Sequence, residues 1–449
     1  MIMIKRLIVS FALAMVVATL LQANSYNIIS YGAKSDTTQL STAALQQAID
    51  ACSQAGGGRV IVPAGDYKIG SIILRSNVNL HLEEGATLYG STRLVDYIKH
   101  QPAYLSLRTQ TTTIQLFYAE NVANVTIDGY GTIDGQGRAF EKFTFNDEGI
   151  TRPHLIRFIT SNNISVKGIT VKNSGCWMQH YLACDNVHLQ GLTIINRSNF
   201  NNDGIDLDGC HDVVVSDIIS DTDDDGITLK STSPRLCENI VINNCIVSSR
   251  CNAIKLGTET TGGFRNILIS NCIVKPSYQS KPQFYGTAKG FSGIALEIVD
   301  GGLLEDVNVS NIHIEGTESP IFVRLGNRAR PYAEGKVVNG VGTLRNVYLS
   351  NITINHAGQM GSSITGLSGH PVENITLSNI IIRQKGGCGK IAPPTDEKET
   401  AYPEATMWGN LPATGFFIKH VRGLVKNNVK VYTEEKDERP DVFCQDVEE

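Results

Sequence analysis

The sequence predicts an all-β fold, a single right-handed parallel β-helix with a short capping helix at its N-terminal end. Three observations predict it. A short strand-like phrase recurs along most of the 449 residues, an asparagine or aspartate opens each copy, and no helical period intervenes between copies. The phrase begins as NVTIDGYGTI at 124, NISVKGITV at 163, NVHLQGLTI at 186, DVVVSDIIS at 212 and NIVINNCIV at 239. It continues as NILISNCIV at 266, DVNVSNIHI at 306, NVYLSNITI at 346 and NITLSNIII at 374.

Each copy alternates apolar and polar side chains, the period of a half-buried strand. Intervals of 23 to 40 residues between starts suit one coil of a solenoid, the longer ones a coil carrying a loop. Leucine-rich repeats need a leucine skeleton that is missing here, and a propeller needs tight hairpins inside each repeat. Such a chain grows along one axis, so its length does not demand several domains.

The ends read differently. Lys5 and Arg6 precede an apolar stretch from Leu7 to Leu21 and the small residues Ala23-Asn24-Ser25, the pattern of a cleaved export leader over residues 1–25. The expected destination is periplasmic or extracellular, with no membrane attachment after cleavage. Thr42 to Cys52 carries apolar residues at helical spacing and stops before Gly56-Gly57-Gly58, which predicts a short amphipathic helix closing the open end of the solenoid. The β-helix is expected over residues 26–384. Residues 385–449 are richer in charge, lack the phrase, and are expected to form a cap and tail.

A net charge of −5 argues against nucleic-acid binding and supplies no bulk basic field for a polyanion. No cofactor or metal is expected, and the chain is expected to be a monomer. Among ten cysteines, Cys245 and Cys272 hold the same place in successive phrases, which reads as stacked interior thiols. Cys388 and Cys444, outside the repeats, are the expected pair if any disulfide forms.

Aligning the second strand of each coil on its neighbours shows which side chains share a surface. Asp203-Gly204-Ile205-Asp206-Leu207 matches Asp225-Gly226-Ile227-Thr228-Leu229, then Asn252-Ala253-Ile254-Lys255-Leu256 and Ser292-Gly293-Ile294-Ala295-Leu296. The isoleucine and leucine columns point inward, so the residues between them face out. Asp203 and Asp225 then share a column, with Asp224 beside the second. Crowded carboxylates push at least one proton affinity upward, so that one group can serve as an acid while others remain bases. The same cluster also suits a solvated acidic turn or a calcium site.

These residues resemble glycoside hydrolase family 28, the polygalacturonases and rhamnogalacturonan hydrolases. The likeness runs through YGAKSD at 31, GGGRVIVPAGDY at 56, GTIDGQG at 131, RPHLIRF at 152 and NSGCWMQH at 173. Its most specific parts are NNDGID at 201 and DDDGITLKS at 223. The resemblance implies an exported hydrolase of pectic polysaccharide acting by inversion. It assigns the general acid to Asp224 and water activation to Asp203 and Asp225. Asn202, Trp177 and His180 are the implied or expected substrate contacts on one side.

Two departures bear on substrate. The family's Gly-His-Gly falls on Cys251-Asn252-Ala253, and its Arg-Ile-Lys clamp for a uronate carboxylate falls on Ala295-Leu296-Glu297. An anionic Glu297 would repel a uronate, which favours rhamnogalacturonan-type substrates over plain homogalacturonan. Arg250, Asn252, Lys255 and Glu297 are the expected contacts on that side, with Arg324 a structural partner of Glu297. A polysaccharide lyase using Lys255, and a non-catalytic carbohydrate-binding β-helix, are the competing readings.

Overall fold

The computed structural model describes residues 25–110, 113–140, 151–278, 290–338 and 340–449. Apart from Ser25, the expected leader lies outside these residues. No described helix is long and apolar enough to cross a membrane.

All described strands belong to one sheet of 31 strands, paired in parallel from coil to coil, which is the predicted right-handed parallel β-helix. Each coil contributes three faces. The recurring phrase forms two of them, as in Asn162–Lys167 followed by Thr170–Lys172 and Asp185–Gln190 followed by Thr193–Asn196. In later coils the two run together as continuous strands such as Leu303–Glu315 and Thr343–Ala357. The third face is built from Gln179–Leu182, Ile205–Asp208, Ile227–Ser231, Asn252–Thr260, Ser292–Ile298 and Ser319–Leu325.

The opening asparagines have a specific conformational task. Asn124, Asn163, Asn239, Asn266, Asn346 and Asn374 all adopt positive φ, between 55° and 59°. Asparagine visits this left-handed region at lower cost than most residues because its short amide bonds locally. Here the amides also bond between coils: Asn163 Nδ2 donates to Asn124 Oδ1 at 2.7 Å, and Asn266 Nδ2 to Asn239 Oδ1 at 2.7 Å. The ladder turns the chain at the same corner of each coil and ties the coils along the axis.

The interior follows from the apolar columns. Ile205, Ile227, Ile254, Ile294 and Ile321 stack in register, as do Leu207, Leu229, Leu256 and Leu296, and none of them is exposed. Each such side chain contributes about 1.5–3 kcal/mol by burial. The helix Thr42–Gln54 buries Leu45, Ala48, Ile49 and Cys52 over the first coils.

All ten cysteines are free, and Cys245 and Cys272 are buried in neighbouring coils, each Sγ bonded to a local carbonyl. The expected Cys388–Cys444 bridge is therefore absent. Cys444 lies in an exposed strand, and Cys388 is held by its own backbone bond to Asp437. The segment expected as cap and tail contains two more parallel strands, Phe416–Glu435 and Val442–Glu448. Their charged outer residues conceal the period, because an end coil exposes its outer face.

Candidate active site

The third face carries a cavity of about 200 Å³ whose floor holds Asp203, Asp224 and Asp225. Asp203 lies two residues before the strand Ile205–Asp208, and Asp224-Asp225 form the corner before Ile227–Ser231. Gly204 N donates to the Asp225 carbonyl at 3.0 Å, and Gly226 N to that of Asn252 at 2.9 Å. Asp203, Asp225 and Asn252 are thus successive members of one column. The corner is pinned by the hydroxyls of Thr222 and Ser249, which donate to the Asp224 carbonyl at 2.8 and 2.6 Å.

The environments of the three aspartates differ. Burial first, and then the charge of Asp225, push the Asp224 carboxyl up to about 7. Burial and the neighbouring Asp206 and Asp224 raise Asp203 well above the usual carboxylate range. Burial also pushes Asp225 upward, but Lys255, Lys230 and the Asn252 amide together hold it below its ordinary value. Lys255 Nζ lies 3.1 Å from Asp225 Oδ2, and Asn252 Nδ2 donates to Oδ1 at 2.9 Å. Asn252 is in turn oriented by the Ser292 hydroxyl at 2.6 Å. Asp225 is therefore held ionised while Asp224 and Asp203 are pushed towards protonation, a separation of the kind acid–base work requires.

Lys230 is the second cation of the floor. Its ammonium lies 3.6 Å from Asp203, 3.5 Å from Asp206 and 3.6 Å from Glu259. Glu259 also accepts from Arg108 and Arg330, both at 2.9 Å, and these cations outweigh burial to hold it well below the usual range.

Several expected substrate contacts have other work in the structure. Trp177 is 2% exposed, with the Arg108 guanidinium 4.5 Å and the Lys230 ammonium 4.3 Å from its ring centre. It lines the cavity with both cations over its ring. His180 is fully buried with Nε2 3.1 Å from Asp208, and burial lowers it to about 4, so it is a neutral structural group. Asn202 is fully buried and its amide bonds the backbone of Ser198, Ser174 and Cys176. The neighbouring Asn201 lines the cavity instead. Arg250 pairs with Asp223 at 2.8 Å. Lys255 is 1% exposed and committed to Asp225, so its expected contact with substrate gives way to a supporting role.

The clamp positions are also corrected. Ala295 is fully buried against Phe322 and Ala405, with Trp408 packed on them. Glu297 is 1% exposed, and burial raises its carboxyl to about 8, so near neutrality it is protonated and cannot repel a uronate. Arg324 is adjacent to Glu297 in register, but its hydrogen bonds go to Thr365, Gly366 and Glu397.

Sequence reasoning overlooked Lys230, Glu259, Arg108, Arg330, Tyr402 and Glu404, all of which line the cavity. Lys230 was visible as the lysine of DDDGITLKS. Glu259 sits near the end of the strand Asn252–Thr260, and the others lie on loops or in the C-terminal segment, where no repeat marks them.

The fold and site thus define a parallel β-helix protein with three carboxylates of unequal proton affinity at the corners of two successive coils. Residues 52–398 match the profile of the glycosyl hydrolases family 28, and the chain belongs to that family. A probable polygalacturonase of Vitis vinifera is 33% identical over 221 residues, covering 47% of this chain and 45% of that protein. An exo-poly-alpha-D-galacturonosidase of Dickeya chrysanthemi is 38% identical over 155 residues, covering 33% of this chain and 25% of that protein. The chain thus spans less than half the length of these curated relatives. The family 28 exopolygalacturonase of Yersinia enterocolitica shares the fold, with a TM-score of 0.68 at 18% identity over 95% of this chain and 78% of that one.

Proposed function

We propose that this protein is an exported hydrolase of pectic polysaccharide that cleaves glycosidic bonds by single displacement with inversion. The observation that carries this reading is the split between Asp224, raised to about 7, and Asp225, held low by Lys255 and Asn252 in the same floor. Asp224 donates its proton to the departing glycosidic oxygen. Asp225, with Asp203, orients a water on the opposite face and accepts its proton as the water oxygen bonds to the anomeric carbon. The bond between that carbon and the leaving oxygen breaks in the same step.

Rhamnogalacturonan-type substrates remain favoured over homogalacturonan, on different grounds from those first expected. The cations lining the cavity are Arg108, Lys230 and Arg330. Two of those cations bond Glu259, and Lys230 lies 3.6 Å from it. Such a cavity suits a neutral sugar better than a uronate. A lyase needs an available cationic base, and Lys255 is buried against Asp225. The test is product analysis on rhamnogalacturonan and homogalacturonan, with proton NMR of the first-formed anomer. Inverted, saturated products formed faster from rhamnogalacturonan support the proposal. Retained configuration or an unsaturated product end overturns it.

A further inference from the structure

The outward column through the site runs Arg157, His180, Asp206, Thr228, Lys255, Ala295 and Phe322. A polymer lying along the helix axis would have to cross this column on both sides of the aspartates, and both sides are covered. Towards the N-terminus, His100 stacks on Tyr118 with ring centres 4.1 Å apart, and Tyr104 packs on the cluster of Tyr118, Ile159 and Leu182. Arg157 and His180 lie wholly buried in this stretch of the column. Towards the C-terminus, Ala405, Met407 and Trp408 pack over Ala295 and Phe322. Glu399 fastens that segment by two bonds with Asn327, each 2.8 Å. The N-terminal cover is tied down further: Leu107 N donates to Thr232 O at 2.9 Å, and Gln110 Nε2 to Tyr332 O at 2.9 Å.

We infer that the cavity admits only the end of a glycan chain, and that Tyr402 and Glu404 hold its terminal sugar. This rests on the hydrolase reading above and adds the mode of attack and two binding residues. Both residues lie beyond the span 52–398 that matches the family, yet both line the cavity with Asp224 and Asp225. Tyr402 leaves 51% of its surface open, an aromatic face on which a sugar ring can stack. Its hydroxyl lies 3.0 Å from Thr258 Oγ1, which fixes the ring against the coil carrying Glu259. Glu404 is 8% exposed, and its Oε1 accepts from Ala405 N at 2.9 Å, which orients the carboxyl at the cavity wall. Burial raises that carboxyl to about 7, so near neutrality it can both donate to and accept from sugar hydroxyls.

The experiment has two arms. In the first, the wild-type protein digests a pectic polymer while viscosity and released sugars are followed together. Small products from the outset with viscosity retained are expected, and Tyr402→Ala should raise KM about tenfold with little change in kcat, Tyr402→Phe recovering most of the affinity. Rapid loss of viscosity at low turnover overturns the inference while leaving the hydrolase reading intact. In the second, Asp224→Asn protein is titrated calorimetrically with pectic oligosaccharides, either free or chemically blocked at both ends. Loss of binding on blocking supports a pocket for termini even if no pectic substrate is cleaved. Equal binding of blocked and free oligosaccharides overturns it.

Discussion

The Lys255 ammonium lies 3.1 Å from Oδ2 of Asp225, one coil away along the helix axis, with neither side chain more than 4% exposed. This pair keeps a carboxylate ionised in a setting where burial drives its neighbours towards protonation. Removing the cation should therefore alter the charge of the floor and not merely a surface contact. Lys255→Met is expected to reduce kcat by at least about a hundredfold and to cost about 3 kcal/mol of stability, because it strands a buried charge. Denaturant titration and kinetics on one preparation check both. A variant with wild-type kcat would show that Asp225 needs no such support.

Asp224 is expected to set the alkaline limb of the activity profile. Its carboxyl, raised to about 7, keeps its proton in mild acid and loses it above neutrality. Activity should therefore be nearly level below pH ~6.5 and fall about tenfold per unit well above pH ~7. Asp224→Asn should lower kcat by about a thousandfold or more at every pH while leaving the melting temperature at alkaline pH no lower than wild type. Activity still rising at pH 9 would remove Asp224 from the acid role.

Glu297 supplies a stability prediction of definite sign. The folded protein holds its proton up to about pH 8, whereas the ordinary value in the unfolded chain is 4.5. Between these values the native state binds the extra proton, so raising the pH favours unfolding. Above about pH 8 the native state must carry a buried charge or open. Glu297→Gln should remove this cost, giving a protein about 1–3 kcal/mol more stable than wild type at pH ~9 and of similar stability near pH ~4.5. Urea midpoints at both pH values decide the matter, and an unchanged difference between them would sink the idea.

Restoring the family's clamp residues should fail to create a clamp. Ala295 is wholly buried against Phe322 and Ala405, so Arg at 295 with Lys at 297 places two cations beneath the C-terminal segment. The double variant is expected to lose at least about 2 kcal/mol of stability and to gain no affinity for oligogalacturonates. Calorimetric titration of the folded variant provides the check, and a clear gain in binding would show that the segment over Ala295 lifts away.

The repeat, the inward isoleucine and leucine columns and the shared column of Asp203 and Asp225 were legible because coil stacking converts sequence spacing into spatial adjacency. A strand period of two also assigns each residue to the inside or the outside. That logic reaches only residues within the repeat. It marked Lys255 as outward but could not show that Asp225 would hold it, nor that Ala295 and Glu297 would be roofed over.

What the sequence determined by itself was therefore the β-helix and its carboxylate corner, since hydrogen bonding between neighbouring coils is a nearest-neighbour matter. What only the tertiary structure decided was the shape and charge of the cavity. Arg108, Arg330, Tyr402 and Glu404 arrive there from stretches far apart in the chain. Loop packing follows no period, and the burial it imposes on Glu297 and His180 changes their protonation in ways that composition and spacing do not encode.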